Sequence, residues 1–387
     1  MDYFLTEEQK MLKELVRRIV EEHVIPVRAE LDEREEFPRE ILKVCAESGL
    51  FGVSIPEQYG GSGGGVFETC LVVEELSRGC VGVSVSYAAS NLCAYPILLY
   101  GTEEQKNKYL PELASGRKLG AFAVTEANAG SDVASMQTQA VKDGRGYRLN
   151  GTKQWITNGG EADIYVVFAV TDKRRGPRGI SGFIVEKGTP GFSFGKKEKK
   201  MGIRASATRE LIFEDCWVPE ENLLGGREGI GLMAILRTFD MTRPGVGAQA
   251  VGLAQAAFEV ALQYAKQRVQ FGQKIISFQA IQHMLADMAT KIEAARALVY
   301  AVARFIDSHP PEFTKEAAMA KLFPTDICME VVQNAVQILG GYGYMRDFPV
   351  EKMMRDAKVL QIYEGTNQIQ RNNIARELVK ETARRGL

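Results

Sequence analysis

The stretch IYEGTNQIQ (362–370) places a carboxylate at a break in a helical pattern, with Glu364-Gly365-Thr366 at the interruption. Thr366 has the side chain of an N-cap and can accept an orphan N–H of the helix that follows. A helix start offers backbone donors and a positive dipole end, suited to an anion or a polarised carbonyl. A glutamate so placed is either an ordinary loop residue or a general base in a crevice between helices and strands. A second break, QILGGYGY (337–344), carries paired glycines.

Four more segments have residues suited to ligand contact. FAVTEANAGSD (122–132) leaves a strand and enters a turn where Ala129, Gly130 and Ser131 let a backbone approach a ligand; a plain β-turn has the same composition. The segment is no GxGxxG and lacks a strand–helix–strand context, which argues against a Rossmann site. WITNGG (155–160) puts Trp155 and Thr157 on one face of a strand, able to stack on and hydrogen-bond a planar heterocycle, or to serve as core and surface. In RVQFG (268–272), Arg268 can grip a phosphate and Phe271 can pack on a ring; the alternative is a charge at a helix C-terminus. FDMTRP (239–244) sets Asp240 and Arg243 three apart at what reads as a helix start, a spacing that also makes an intrahelical ion pair. His23, His283 and His309 are far apart, and the six cysteines lack ligand spacing, so neither a metal site nor a Ser-His-Asp triad is expected. The cysteines read as buried, reduced thiols.

The elements that must position these residues follow from periodicity. Leu12, Leu15, Val16, Ile19 and Val20 mark a first helix, Pro26 closes it, and Pro38 opens another to about Gly49. The glycine-rich PEQYGGSGGG (56–65) reads as a flexible loop or a lid. Helical stretches follow at 67–79, 81–100 and 103–113. From Leu119 the pattern turns short, β-branched and aromatic, as in strands, and Asn150-Gly151 is a hairpin signal. KKEKK (196–200) reads as a solvated loop. Long Ala-rich helical stretches return near Gly229, with further helices at about 315–339, 349–361 and 367–382. The expected architecture is α+β: an N-terminal helical domain (1–118), a central antiparallel β domain (119–228) and a C-terminal four-helix bundle (229–387). With 45% hydrophobic and 25% charged residues the chain is neither disordered nor fibrous, and a net charge of -1 gives no general pull on nucleic acid. No apolar run approaches the ~20 residues of a membrane span. The acidic start is unlike a secretory or transit peptide, so a cytoplasmic protein is expected.

Taken together and in this order, FAVTEANAGSD, WITNGG, DMTRP, RVQFG, QILGGYGY and YEGT resemble the acyl-CoA dehydrogenases, over essentially the whole chain. The resemblance implies a flavoprotein with FAD and a homotetramer, a dimer of dimers. It implies that Phe122, Val124, Thr125, Gly130, Ser131, Trp155, Ile156 and Thr157 flank the flavin, Thr125 and Thr157 as hydrogen-bond partners. Arg268, Phe271 and Gln279 match positions that reach the FAD of a neighbouring subunit; Gln337, Gly340 and Gly341 match the loop around its diphosphate. Thr366 and Gln368 match further FAD contacts. Ser131, Asp240 and Arg243 match positions near the CoA moiety, and Gly365 lies beside the thioester. Glu364 matches the usual catalytic base; a branch of the family carries its base in the DMTR segment, where this chain has Thr242. By the same resemblance, Glu364 removes the α-proton of an acyl-CoA thioester and flavin N5 takes the β-hydride, giving a 2-enoyl-CoA. The thioester oxygen is held by the backbone N–H of Glu364 and a ribityl hydroxyl. An electron-transfer flavoprotein is the implied acceptor. The competing readings are an acyl-CoA oxidase, a non-catalytic flavin- or acyl-CoA-binding partner and a flavin monooxygenase.

Residues around SYAASNLCAYP (86–96) and Glu364 are expected to line the acyl pocket, with Tyr87, Asn91 and Tyr363 as candidates beside the plain alternative of core packing. A polar Asn91 in such a pocket suits a short, branched, cyclic or functionalised acyl group better than a long alkane.

Overall fold

The computed structural model describes residues 3–384. Six helices come first: α1 (Glu7–Ile19), α2 (Arg28–Arg34), α3 (Arg39–Glu47), α4 (Val66–Gly79), α5 (Val81–Tyr100) and α6 (Glu103–Ala114). Thr6 and Thr102 open α1 and α6 with reciprocal capping boxes to Gln9 and Gln105. α4 is capped from a distance. The Asp307 carboxylate accepts the N–H groups of Val66 and Phe67, both at 2.8 Å, and Glu74 on the same helix is buried against Arg296, Tyr300 and Lys13. α4 is thereby held at its start and in its middle.

The segment before α4 is no flexible loop. It forms a short 3-10 turn at Glu57–Tyr59, and a Cβ on Gly61 would lie 1.9 Å from the Ile55 carbonyl oxygen. Gly61, Gly64 and Gly65 are closely packed, whereas Gly60 and Gly63 take positive φ.

Seven strands form one sheet: β1 (Gly120–Ala123), β2 (Gln139–Asp143), β3 (Gly146–Thr157), β4 (Ile164–Val170), β5 (Ile180–Glu186), β6 (Phe192–Lys197) and β7 (Thr208–Pro219), in the order β1-β4-β2-β3-β7-β6 with β5 also on β4. The sheet is not purely antiparallel. β1 runs parallel to β4, because the chain leaves β1 through the turn after Thr125 and the β2–β3 hairpin before β4 returns alongside it. The hairpin turns at Gly144-Arg145, not at Asn150-Gly151; Gly151 instead sits at a register shift inside β3. Lys200 of the KKEKK run is also not solvated at its tip: its Nζ donates to the Ser206 carbonyl at 2.8 Å.

The chain then returns to helices: α7 (Gly231–Gln267), a minimal hairpin of β8 (Val269–Gln270) and β9 (Gln273–Lys274), α8 (Gln279–Asp307), α9 (Thr314–Leu339), α10 (Val350–Leu360) and α11 (Asn367–Arg384). FDMTRP reads in the sequence as a helix start, and that expectation fails. α7 runs through it with Pro244 in its interior. Close helix approach is built into α7, since a Cβ on Gly247 would meet the Ala320 carbonyl oxygen of α9 at 2.0 Å. α5 and α7 are, against the sequence expectation, long and apolar enough to cross a membrane by length and composition. Most of each apolar window, 83% and 67%, is buried inside the protein. All six cysteines are buried and unpaired.

Candidate active site

Glu364 lies in the short connection between α10 and α11 and has φ 51°, the left-handed region that costs a non-glycine residue about 1–2 kcal/mol. Gly365 follows at φ 89°. The surroundings hold both peptides. The Glu364 carbonyl accepts from Gln370 Nε2 (3.1 Å) and Arg243 Nε (3.4 Å). The Gly365 carbonyl accepts from Gln370 Nε2 (2.9 Å) and Lys321 Nζ (3.0 Å). The expected cap is present, as Thr366 Oγ1 accepts the Ile369 N–H at 3.3 Å. Among the described residues the backbone N–H of Glu364 donates to no carbonyl, which leaves it free for a ligand oxygen.

The Glu364 side chain sits where two cavities meet. One, of about 130 Å³, is lined by Phe122, Val124, Thr125, Trp155, Ile156, Thr157, Phe239 and Tyr363. The other, of about 40 Å³, is lined by Val66, Thr69, Val73, Asn91, Tyr95, Met241, Gly245 and Val246. Glu364, Ala88 and Gln249 line both. Thr242 Oγ1 donates to Glu364 Oε2 at 2.6 Å. Burial pushes the Glu364 carboxyl above its ordinary pKa, against the opposing pull of the Thr242 hydroxyl and of the Arg243 and Lys321 charges. A carboxylate so poised is a stronger base than a free one.

The structure sorts the residues singled out in the sequence. Phe122, Val124, Thr125, Trp155, Ile156 and Thr157 converge on the larger cavity. Trp155 reaches it through a bulge in β3, with φ 56° and its indole 57% exposed. Gly130 and Ser131 are exposed in the adjoining turn. Asp240 and Arg243 form a buried ion pair at 2.5 Å, with Thr314 donating to Asp240 at 2.6 Å. Asn91 and Tyr363 line the cavities, the Tyr363 hydroxyl donating to Gln249 Oε1 at 2.6 Å. Tyr87 does not. It is fully buried in the core, its hydroxyl donating to the Leu50 carbonyl at 2.7 Å, so the pocket role expected for it is withdrawn. Arg268, Phe271, Gln279, Gln337, Gly340 and Gly341 line neither cavity. Arg268 stacks over Tyr342 at 5.4 Å beside the glycine pair, and Phe271 is 93% exposed. Gln368 is exposed on the first turn of α11.

Sequence reasoning missed Gln249, Lys321, Gln370 and the Lys153–Glu126 pair. Lys153 is fully buried, its Nζ 2.8 Å from Glu126 and 3.0 Å from the Val124 carbonyl; burial lowers its pKa to about 8. Glu126 in turn accepts the N–H groups of Gln137 and Thr138, which pins the turn next to Thr125. For Gln249 and Lys321 the available signal was a polar residue among apolar helix neighbours; Gln370, among polar residues, and Glu126, in a turn, carry no such signal.

Comparison with known proteins decides what this constellation belongs to. The chain matches the models "Acyl-CoA dehydrogenase, N-terminal domain" over residues 6–117, "middle domain" over 121–216 and "C-terminal domain" over 229–379. The chain belongs to the acyl-CoA dehydrogenase family. It is 49% identical over 373 residues to the short-chain specific acyl-CoA dehydrogenase of Clostridium acetobutylicum, covering 96% of this chain and 98% of that one. The solved butyryl-CoA dehydrogenase of Megasphaera elsdenii superimposes with a TM-score of 0.95 at 48% identity, covering 98% of this chain and 100% of that one. A chain in the solved structure of the electron transferring flavoprotein of Acidaminococcus fermentans gives 0.95 at 51% identity, covering 98% and 99%.

Acyl-CoA dehydrogenases are FAD-dependent oxidoreductases acting on acyl-CoA, and this chain is one of them. Its residues fit the cofactor. The larger cavity has an exposed indole on one wall, and the Thr125 and Thr157 hydroxyls on its lining have no hydrogen-bond partner among the described residues. Such surfaces suit a flat heterocycle with polar edges.

Proposed function

We propose that the protein dehydrogenates a short-chain acyl-CoA at Cα–Cβ, with Glu364 as the base. The observation that carries this is the carboxylate at the junction of the two cavities. The thioester sits at that junction, the acyl tail enters the smaller cavity, and the redox group occupies the larger. Bound FAD, held by Thr125, Trp155, Ile156 and Thr157, supplies the acceptor for the β-hydride. Glu364 takes the α-proton on its carboxylate, and the Cα–H electron pair becomes the new C=C bond as hydride leaves Cβ. The free N–H of Glu364 donates to the thioester oxygen, where negative charge develops; one such donor is typically worth about 3 kcal/mol of barrier. The left-handed backbone fixes base and donor in one residue. The Asp240–Arg243 pair, beside Glu364, and Ser131 in the exposed turn are the proposed contacts of the CoA chain. The smallness of that space, about 40 Å³, supports a short tail, straight or with a small branch or ring, over a long one.

The reading includes a homotetramer. Phe271, Gln279, Gln337, Gly340 and Gly341 are exposed and Arg268 is half-buried over Tyr342, all outside the cavities, which suits contact with a neighbour's FAD. An electron-transfer flavoprotein is the proposed oxidant, supported by the likeness to a chain in the Acidaminococcus electron transferring flavoprotein structure. Buried free thiols fit a reducing, cytoplasmic setting.

The test is anaerobic titration of the holoenzyme with propionyl- to dodecanoyl-CoA and branched and cyclic analogues, following the oxidised-flavin band. Bleaching is expected with short acyl groups and none with dodecanoyl-CoA. Glu364→Gln should keep its flavin and lose bleaching by orders of magnitude; near-wild-type turnover in that variant removes the base assignment.

A further inference from the structure

Lys321 is a buried charge that the reaction as described does not use. It projects from α9 with no exposed surface and donates Nζ–H to the Gly365 carbonyl (3.0 Å) and to Asn367 Oδ1 (2.6 Å). The close approach of α9 to α7 at Gly247 and Ala320, one residue away, puts it there. Asn367 is anchored in turn by Thr325 and Asp326, its amide donating at 2.9 and 2.7 Å. Lysine is a costly choice for this place, since an ammonium pays desolvation that an apolar side chain of similar length would not. Burial brings its pKa down to about 7.

We propose that Lys321 is a positioning residue for the base: from beneath the loop it holds the Gly365 carbonyl, keeping Glu364 in its left-handed backbone, and its charge favours the ionised carboxylate. The inference rests on Glu364 being the base. The charged groups that face Lys321 are Glu364 in the loop, Arg243 on α7 and Asp326 on its own helix; Asn367 and Gln370 on α11 are neutral. Glu364 and Asp326 favour the charged lysine, and Arg243 disfavours it. The sign follows. A positive charge favours Glu364 as carboxylate, so removing it raises the pH at which Glu364 ionises.

The experiment is anaerobic stopped-flow flavin reduction by butyryl-CoA from pH 5 to 9, on the wild-type holoenzyme and on Lys321→Met, Lys321→Gln and Lys321→Arg. Glu364 protonation is read separately, without substrate, from the carboxyl stretch in infrared difference spectra against Glu364→Gln. Lys321→Met should lose about 10²-fold at the plateau, the scale of a misplaced catalytic group, and its acid limb should move up by about one pH unit. Lys321→Gln, which keeps a donor without charge, should move the limb and the carboxyl titration while keeping most of the plateau rate. Lys321→Arg should keep the limb. If Lys321→Met does not fold, the Gln and Arg variants decide. An acid limb and carboxyl titration shared by wild type, Gln and Arg overturn the inference, as does a Met variant with wild-type limb and plateau. Wild-type flavin reduction by Glu364→Gln would instead overturn the base assignment and this inference with it.

Discussion

Gly245 faces the smaller cavity from the interior of α7, and a Cβ built on it meets no atom within 4 Å. Gly245→Ala therefore has two effects of opposite sign. Within a helix, alanine is more favourable than glycine by about 0.5–1 kcal/mol, and here no clash offsets the gain. The melting temperature should rise by roughly 1–3 °C. The same methyl stands in a space of about 40 Å³. A substrate methylene denied burial forfeits ~0.8 kcal/mol, and one forced into a filled pocket costs up to ~3 kcal/mol. That range lowers kcat/KM for butyryl-CoA by about fourfold to 150-fold, with propionyl-CoA, one carbon shorter, affected less. Calorimetry gives the first number, and flavin bleaching kinetics along the acyl series give the second. A higher melting temperature with unchanged chain-length preference would show that the acyl tail does not enter this cavity. A lower one would show that the space beside Gly245 is filled.

Two further outcomes test the scaffold. Arg268→Ala should lower FAD retention on gel filtration with little change in rate per bound flavin, since Arg268 is half-buried over Tyr342 and lines neither cavity beside Glu364; unchanged flavin content counts against the proposed inter-subunit contact. Glu74→Gln should lower stability by about 1.5–3 kcal/mol in urea unfolding, because it takes from the buried Arg296 one of its two carboxylates, Glu293 remaining, and weakens the charge-assisted bonds that Glu74 makes. The Arg296 and Lys13 charges hold the Glu74 carboxyl below its ordinary pKa, so this stabilisation is present at neutral pH and lost as pH falls through that lowered value. A loss under 1 kcal/mol would mean that the cluster is merely solvated.

The candidate site was legible in the sequence where function rests on local chemistry. Thr366 announces a cap by its own hydroxyl, and the cap is there. Trp155 and Thr157 were expected on one face and do line one cavity, although the route is a bulge and not simple alternation. Misreadings came where tertiary packing overrode a local signal. Pro244 is tolerated inside α7, which is buried along most of its length. Asn150-Gly151 has hairpin chemistry, but Gly151 lies against Thr138, where a Cβ would be 2.8 Å from the Thr138 Cα. Tyr87 and Asn91 lie four apart on α5, yet one packs into the core beneath Leu50 and the other faces the cavity. Periodicity alone does not separate such a pair, because α5 is buried on nearly every side.

What no local pattern shows is how the strained residue is held. The Glu364 backbone conformation is unfavourable by itself, and the residues that hold it come from three places in the chain: Arg243 from α7, Lys321 from α9 and Gln370 from α11. Each donates to one or both carbonyls of the loop, so strain in the loop is opposed by contacts that neighbouring residues could not supply. The arrangement also ties the ionisation of Glu364 to backbone geometry. Thr242, next to Arg243 on α7, reaches the carboxylate while Arg243 reaches the carbonyl of the same residue. A shift of α7 relative to α11 would therefore alter both where the carboxylate points and how readily it ionises. α7 is pinned against α9 at Gly247 and against α4 at Gly252, where a Cβ would lie 2.0 Å from a carbonyl oxygen of each neighbour, so the packing of the core also fixes where Thr242 and Arg243 meet Glu364.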